Sequence, residues 1–177
     1  MRVWDLGSGQ SLRTLEGHTD LVSAVAVALD GRRAVCALAD QTLRVWDLES
    51  GQSLRTLEGH TGWVNGVVVT PDQYHAVSAS ADHTLRVWDL ESGQSLRTLT
   101  GHTDVVSAVA LTPDGRRAVS VSADHTLRVW DLDSGECIAA YTAEGSITRC
   151  AVALDGRTII ATDRVGRGHF LWLEEVV

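Results

Sequence analysis

Tryptophans recur at a constant interval in this chain of 177 residues. Five of them lie at positions 4, 46, 88, 130 and 172, each 42 residues from the next, and an aspartate follows four of the five. Self-similarity at a fixed period of this size is typical of repeat architectures, in which neighbouring units cover each other's apolar faces. We therefore expect one domain over residues 1–177, with repeats at about 5–46, 47–88, 89–130 and 131–172 and with residues 1–5 as a partial strand.

Each unit contains four short segments that are typical of strands. In the third unit, residues 105–111 are almost continuously apolar, as expected for a strand covered on both faces, and a Pro-Asp-Gly turn follows. Residues 118–123 are mostly small, and residues 126–130 alternate more openly. The fourth segment, SLRTL in the first three copies, carries a central arginine. This rise in polarity predicts a four-stranded antiparallel sheet with a dry inner and a wet outer strand, which is one blade of a propeller.

Three further motifs keep phase with the tryptophans. Gly-His pairs lie at 17–18, 59–60 and 101–102, an aspartate precedes the third strand at 40, 82 and 124, and Trp-Asp occurs four times. In these motifs the chain resembles the WD40-repeat family over nearly its whole length. The resemblance implies an all-β propeller scaffold that gathers proteins. The final segment, TDRVGRGHFLWLEE, is also similar to the last blade of bacterial WD40 arrays.

The resemblance further implies a buried hydrogen-bonded set in each blade, made of a histidine, a strand serine, the turn aspartate and the tryptophan. The members are His60, Ser78, Asp82 and Trp88 in one blade, His102, Ser120, Asp124 and Trp130 in the next, and His18, Asp40 and Trp46 in the first, where Cys36 replaces the serine. Because a thiol is a weak donor, we expect the first network to be weaker by about 1 kcal/mol. The last blade keeps Trp172 but lacks the Gly-His pair, and Asp163 is its nearest substitute for the turn aspartate, so we expect it to be the least rigid.

A Ser-His-Asp trio is also the constellation of many hydrolases. Here the trio recurs in consecutive blades, and no G-x-S-x-G elbow exposes the serine, so we expect no enzyme activity. The other histidines and the three scattered cysteines have no metal-ligand spacing, so we expect no metal and no cofactor. Symmetry-related histidines that converge in a closed ring are the one remaining route to a metal site.

Charge and hydropathy restrict the partners. The net charge is -8, the chain has no lysine, and arginines alternate with acidic residues, so the basic stripe of a nucleic-acid binder is missing. No apolar run approaches the roughly 18 residues that span a bilayer, and the N-terminus lacks the features of a signal peptide. We expect no nucleic acid and no membrane as partner, and a cytoplasmic location.

Trp63 is the one tryptophan outside the regular interval. Leu21 and Val105 hold the equivalent positions, which in the WD40 family border the top-face binding surface. Two residues further along, the same rim by resemblance carries Ser23, Asn65 and Ser107. A large aromatic next to an amide suits a contact hot spot for a protein or peptide. The alternative is that Trp63 only fills space at the mouth of the channel.

The two ends of the chain carry incomplete blades. Residues 10–16 form a fourth strand without a blade, and the last blade ends with a third strand around Gly168 to Glu174. Joining them within one chain closes a ring of four blades, and joining them between two chains closes a ring of eight. Because WD40 blades are wedge-shaped for rings of about seven or eight, we expect a homodimer in which each chain supplies four blades of four antiparallel strands. The predicted function is a protein-interaction scaffold that assembles by strand exchange. The alternative is an architectural half-propeller, natural or engineered, with no partner other than itself.

Overall fold

The computed structural model describes residues 1–18 and 20–174, and all regular structure in this part of the chain is β-strand. The strands form five antiparallel sheets in chain order. The N-terminal hairpin contains β1 (Arg2–Trp4) and β2 (Ser11–Thr14). Three four-stranded sheets follow and are called blades: blade 1 contains β3 (Val22–Val27), β4 (Arg33–Leu38), β5 (Leu43–Asp47) and β6 (Ser53–Leu57); blade 2 contains β7 (Val64–Val69), β8 (His75–Ser80), β9 (Leu85–Asp89) and β10 (Ser95–Leu99); blade 3 contains β11 (Val106–Leu111), β12 (Arg117–Ser122), β13 (Thr126–Asp131) and β14 (Cys137–Thr142). The terminal sheet contains β15 (Ile147–Val152), β16 (Thr158–Asp163) and β17 (Gly168–Trp172).

Side-chain caps close the turns between these strands. In the turn between β9 and β10, Asp89 Oδ1 accepts hydrogen bonds from the backbone N of Ser92 at 2.6 Å and from its Oγ at 2.7 Å. Gly93 follows with a φ of 80°, which glycine adopts without steric cost. The aspartate of the Trp-Asp motif is therefore a turn residue, and its chemistry is local.

The core lies between consecutive sheets. Trp88 packs on Leu43 and Val45 of blade 1, and Trp130 packs in the same way on blade 2. Each sheet thus has a leading face, which meets the preceding sheet and carries the tryptophan, and a trailing face, which meets the next. A unit of this kind buries its apolar residues only when neighbours stand on both sides.

The terminal sheet departs from the regular interval by one residue. Ala118 lies opposite Trp130 in blade 3, and its counterpart in the terminal sheet, Ile159, lies opposite Leu171. Equivalent residues of these two sheets are therefore 41 positions apart, and Leu171 occupies the tryptophan position. The residue is lost between β14 and β15. Because side chains alternate along a strand, a shift of one residue turns Trp172 to the trailing face, where it is 71 % exposed. The expectation that Trp172 is a fourth equivalent tryptophan is wrong.

Three of the four predicted blades have four strands, and the last blade ends at its third strand, as expected from the sequence. The terminal sheet has three strands, and β2 pairs with β1 in a two-stranded sheet. Within residues 1–18 and 20–174, no sheet joins β2 to β17, so the single chain does not close into a four-bladed ring. The same residues contain no helix that could span a membrane.

Candidate functional site

Blade 2 contains a continuous chain of buried hydrogen bonds. Trp88 Nε1 donates to Ser78 Oγ at 2.8 Å, and Ser78 Oγ donates to His60 Nε2 at 2.7 Å. His60 Nδ1 then donates to Asp82 Oδ2 at 2.7 Å. The ionised carboxylate of Asp82 can only accept, so His60 carries its proton on Nδ1, and in a neutral imidazole Nε2 then accepts from Ser78 Oγ. The set therefore ties the connection before β7 to the strands β8 and β9.

Blade 3 repeats this arrangement with almost the same distances. Trp130 Nε1 lies 2.8 Å from Ser120 Oγ, and that oxygen lies 2.7 Å from His102 Nε2. His102 Nδ1 lies 2.8 Å from Asp124 Oδ2. The structure thus brings together the two complete sets that the resemblance implied.

The electrostatics of the sets agree with these protonation states. Burial lowers the pKa of His60 and outweighs the hydrogen bond and the charge of Asp82, which act to raise it. Burial acts to raise the pKa of Asp82, but hydrogen bonds from Thr84 and His60 outweigh it and hold the pKa at about 2. A neutral histidine beside an ionised carboxylate is therefore the stable state near neutral pH.

Sequence reasoning missed one member of each set. Thr84 Oγ1 donates to Asp82 Oδ1 at 2.7 Å, and Thr126 Oγ1 donates to Asp124 Oδ1 at 2.6 Å. The threonine orients the carboxylate towards the histidine. An Asp-x-Thr spacing that recurs in three copies, the first at Asp40, was the signal that could have found it.

The first set is incomplete. His18 and Trp46 stack with their ring centroids 4.7 Å apart, and neither His18 Nε2 nor Trp46 Nε1 has a hydrogen-bond partner among the described residues. In blade 2 the corresponding rings meet edge to face instead. Cys36 stands at the serine position, fully buried, and burial raises the pKa of its thiol to about 11. A neutral thiol cannot both donate to the imidazole and accept from the indole as well as a hydroxyl does.

The terminal sheet uses a different polar arrangement. Asp163 is buried and accepts hydrogen bonds from the backbone N of Val165 at 3.0 Å and of Arg167 at 2.8 Å. The ring of His169 lies 3.5 Å from the carboxylate of Asp163 and 3.4 Å from the hydroxyl of Tyr141. Asp163 lies opposite Ile147 as Ser122 lies opposite Val106. It therefore occupies the position of Ser122 and closes the turn before β17.

The buried sets are built to hold strands together. Ser78 and Ser120 have no exposed surface, so a substrate carbonyl has no access to either hydroxyl. Each hydroxyl also accepts the indole hydrogen bond, which keeps it in place in the interior. Across the described part of the chain, no group of three or more His, Cys, Asp or Glu side chains is arranged to hold a metal ion.

The predicted partner surface lies at the start of the innermost strands. Leu21 and Trp63 are 68 % and 62 % exposed, directly before β3 and β7. Val105 holds the same place before β11 and is partly buried. Each of their backbone oxygens accepts a hydrogen bond from the residue that follows the second strand of its blade, as when Ala81 N donates to Trp63 O at 2.8 Å. These side chains therefore project from a fixed backbone.

The polar residues two positions further along contact neighbouring blades. Ser23 Oγ donates to the backbone oxygen of Val64 in blade 2, and Asn65 Nδ2 donates to that of Val106 in blade 3 at 3.0 Å. Together with Ser107 they line a groove of about 260 Å³ across the innermost strands. Ser23 and Asn65 thus have a structural role between blades, and their role in binding a partner stays a prediction.

Comparison with known families agrees with this geometry. A family model described as "WD domain, G-beta repeat" matches residues 9–47, 51–89 and 93–131, which together make up more than half of the chain. A comparison with curated proteins found no match. The matched segments contain every member of the sets of His18, His60 and His102, and the terminal sheet lies outside them.

Proposed function

Because the chain belongs to the WD40-repeat family, whose repeats generally mediate protein–protein interaction, we propose that it is a non-catalytic scaffold that binds other proteins and a second copy of itself. The observation that carries the self-assembly is the exposure of two sheet faces that are buried elsewhere in the same chain. One is the leading face of blade 1, and the other is the trailing face of the terminal sheet.

The leading face of blade 1 exposes valines whose equivalents are covered. Val25 is 46 % exposed, whereas Val67 and Val109, in the same place on blades 2 and 3, are 6 % and 8 % exposed. Those two valines pack on the trailing face of the preceding blade. The N-terminal hairpin covers only the outer part of this face, around Cys36 and Trp46.

The trailing face of the terminal sheet has the matching chemistry. Phe170 is 65 % exposed and Ile160 is 38 % exposed, and they lie opposite each other on β17 and β16. Their equivalents in blade 3, Val129 and Val119, are buried against the terminal sheet. A trailing face with apolar side chains and a leading face with apolar side chains are the two halves of one junction.

A second copy offers both halves at once. The terminal sheet of one chain meets blade 1 of its partner, and a twofold axis repeats the contact, which completes a ring of eight blades from two chains. A groove of about 150 Å³ lies beside β17, where an outer strand is missing, and is lined by Tyr141, Leu171 and Leu173. The outer strand β2 of the partner is the segment that we propose to fill it.

Light scattering after size exclusion tests this assembly. We expect twice the chain mass of 19.1 kDa, about 38 kDa. Phe170→Asp places a charge in the junction and reduces the mass to that of one chain. Leu96→Asp is the matched control, because Leu96 lies on the outer strand of blade 2, is 51 % exposed and belongs to neither terminal face. A single-chain mass for the wild type at all concentrations contradicts the homodimer and favours further blades of a longer polypeptide as the occupant.

The surface for other proteins is proposed at Leu21, Trp63 and Val105. Trp63→Ala removes the largest exposed side chain of this rim, and Tyr74→Ala removes a comparably exposed aromatic in the turn between β7 and β8, at the other end of blade 2. Quantitative affinity capture with both variants and the wild type distinguishes the two ends. Loss of a bound protein only with Trp63→Ala supports the rim. Capture of no protein by the wild type or by either variant favours the architectural half-propeller, and equal capture by all three proteins contradicts the rim as the binding surface.

A further inference from the structure

Two strands of this chain fit the same edge of β2. In blade 3 the third strand pairs with the fourth, with Val129 opposite Ala139. The N-terminal hairpin has the same register, with Val3 opposite Arg13, so β1 occupies a third-strand position. In the terminal sheet the third strand is β17, and its outer edge carries no strand among the described residues. Both pairings use the same edge of β2, and one edge holds only one strand at a time, so β2 can pair with β1 or with the β17 of a partner, and not with both.

We propose that β1 is a displaceable cap, which holds the edge of β2 until the β17 of a second copy replaces it. This inference rests on the proposed homodimer and adds the step that controls its formation. In the exchanged state, structural equivalence places Phe170 opposite Arg13 and His169 opposite Thr14. Phe170 then takes the place of Val3, which in the single chain packs against Leu15, Cys36 and Trp46.

The two pairings differ in extent. β1 has three residues and contributes one partly buried side chain, Val3. β17 has five residues and brings two further strands, which cover the exposed valines at 25 and 27 on blade 1. The exchanged pairing therefore buries more apolar surface, which favours it once two chains have met.

The two pairings also differ in connection. A turn over residues 5–10 joins β1 to β2, and Asp5 closes that turn through hydrogen bonds from Ser8. The effective concentration of β1 at the edge of β2 is therefore high and independent of the protein concentration, whereas β17 of a partner arrives by a bimolecular encounter. The cap makes assembly slow and dependent on concentration.

A reversible disulfide tests the cap in the full chain. Met1 and Leu15 exchange both backbone hydrogen bonds, at 3.0 and 2.8 Å, so the neighbouring pair Arg2 and Thr14 is a close, non-hydrogen-bonded pair. Arg2→Cys with Thr14→Cys, in a Cys137→Ser background, locks β1 onto β2 when oxidised. We expect the oxidised form to have the mass of one chain in sedimentation velocity and the reduced form to dimerise.

The matched control is Arg44→Cys with Thr56→Cys, the equivalent pair of blade 1, in the same background. Its oxidation leaves every predicted exchange strand free, so its mass is the same with and without reductant. A dimer of the locked Arg2→Cys, Thr14→Cys variant overturns the cap and leaves the homodimer intact. Absence of a dimer in the wild type and in both reduced variants overturns the homodimer and the cap together.

Weakening β1 gives a second, independent measurement. By the same alternation Val3 is hydrogen-bonded to Arg13, so Val3→Pro removes a ladder bond from the hairpin. We expect the dissociation constant of the dimer to fall about tenfold, and Val3→Ile to leave it within about twofold. An unchanged dissociation constant for Val3→Pro overturns the cap.

Discussion

A reciprocal exchange of one atom between blades 1 and 2 tests the origin of their unequal polar sets. Ser78→Cys replaces the hydroxyl that accepts from Trp88 at 2.8 Å and donates to His60 at 2.7 Å. Cys36→Ser introduces a hydroxyl between two groups that lack hydrogen-bond partners among the described residues, Trp46 Nε1 and His18 Nε2. The two substitutions are chemical inverses at equivalent, fully buried positions.

The expected magnitudes follow from the number of bonds. Ser78→Cys weakens two buried hydrogen bonds worth about 1 kcal/mol each, so we expect the free energy of unfolding to fall by about 2 kcal/mol. Cys36→Ser can form two, but the His18 ring must first leave its stacked position on Trp46, so we expect a gain of about 1 kcal/mol.

Urea unfolding followed by far-UV circular dichroism measures both changes through the midpoint and slope of the transition. Hydrogen exchange of the Trp46 indole N–H adds a local readout, because a new acceptor slows it. Ala at each position is the control for packing alone. The reasoning is refuted if Cys36→Ser lowers stability as much as Cys36→Ala, or if Ser78→Cys is neutral.

Three further outcomes are expected. Burial lowers the pKa of His60 below 6.5, so the unfolded chain binds the proton first, and this part of the stability is full above pH 6.5 and falls as the pH decreases. Asp82 has a pKa of 3.8 when unfolded and about 2 when folded, so it adds a second loss of stability as the pH falls from 3.8 towards 2. A flat midpoint between pH 7 and 5 contradicts the loss expected from His60. Trp172→Ala changes the unfolding free energy by less than about 0.5 kcal/mol in the monomeric state, whereas Trp130→Ala costs about 3–5 kcal/mol. Equal losses of stability would mean that Trp172 is structurally equivalent to Trp130 after all. Gly66→Ala stabilises by about 0.4–1 kcal/mol, because the nearest atom to its new Cβ is 3.5 Å away; a clear loss of stability shows that blades 2 and 3 lie closer together.

Local motifs were sufficient to predict the family and the sheets. The interval of the tryptophans and the Gly-His and Trp-Asp motifs predicted WD40 repeats, and the family match confirms that resemblance. They succeeded because a turn such as the one at Asp89 and Ser92 is closed by residues three positions apart, within reach of a sequence pattern. The hydrogen-bonded partners of His60, Ser78 and Asp82, by contrast, were named only through the resemblance, because up to 22 residues separate them along the chain.

The terminal sheet shows where the pattern failed. Trp172 restores the 42-residue count although one residue has been lost before it, between β14 and β15, so the periodicity contains no trace of the loss. In the structure that single residue decides which side chains face the core and which face solvent, since a strand alternates every residue. Leu171 therefore lies inside and Trp172 outside.

The sequence by itself determined the repeat, the strands and the residues able to form the polar sets, because these depend on short-range chemistry and on a period that the chain repeats. Only the tertiary structure decided that Val25 and Phe170 lie on uncovered faces and that β2 pairs with β1. Burial and edge pairing depend on which sheets are neighbours in space. A strand pattern states what a segment can pair with, and the pairing that forms is set by the competition between nearby and distant strands for one edge.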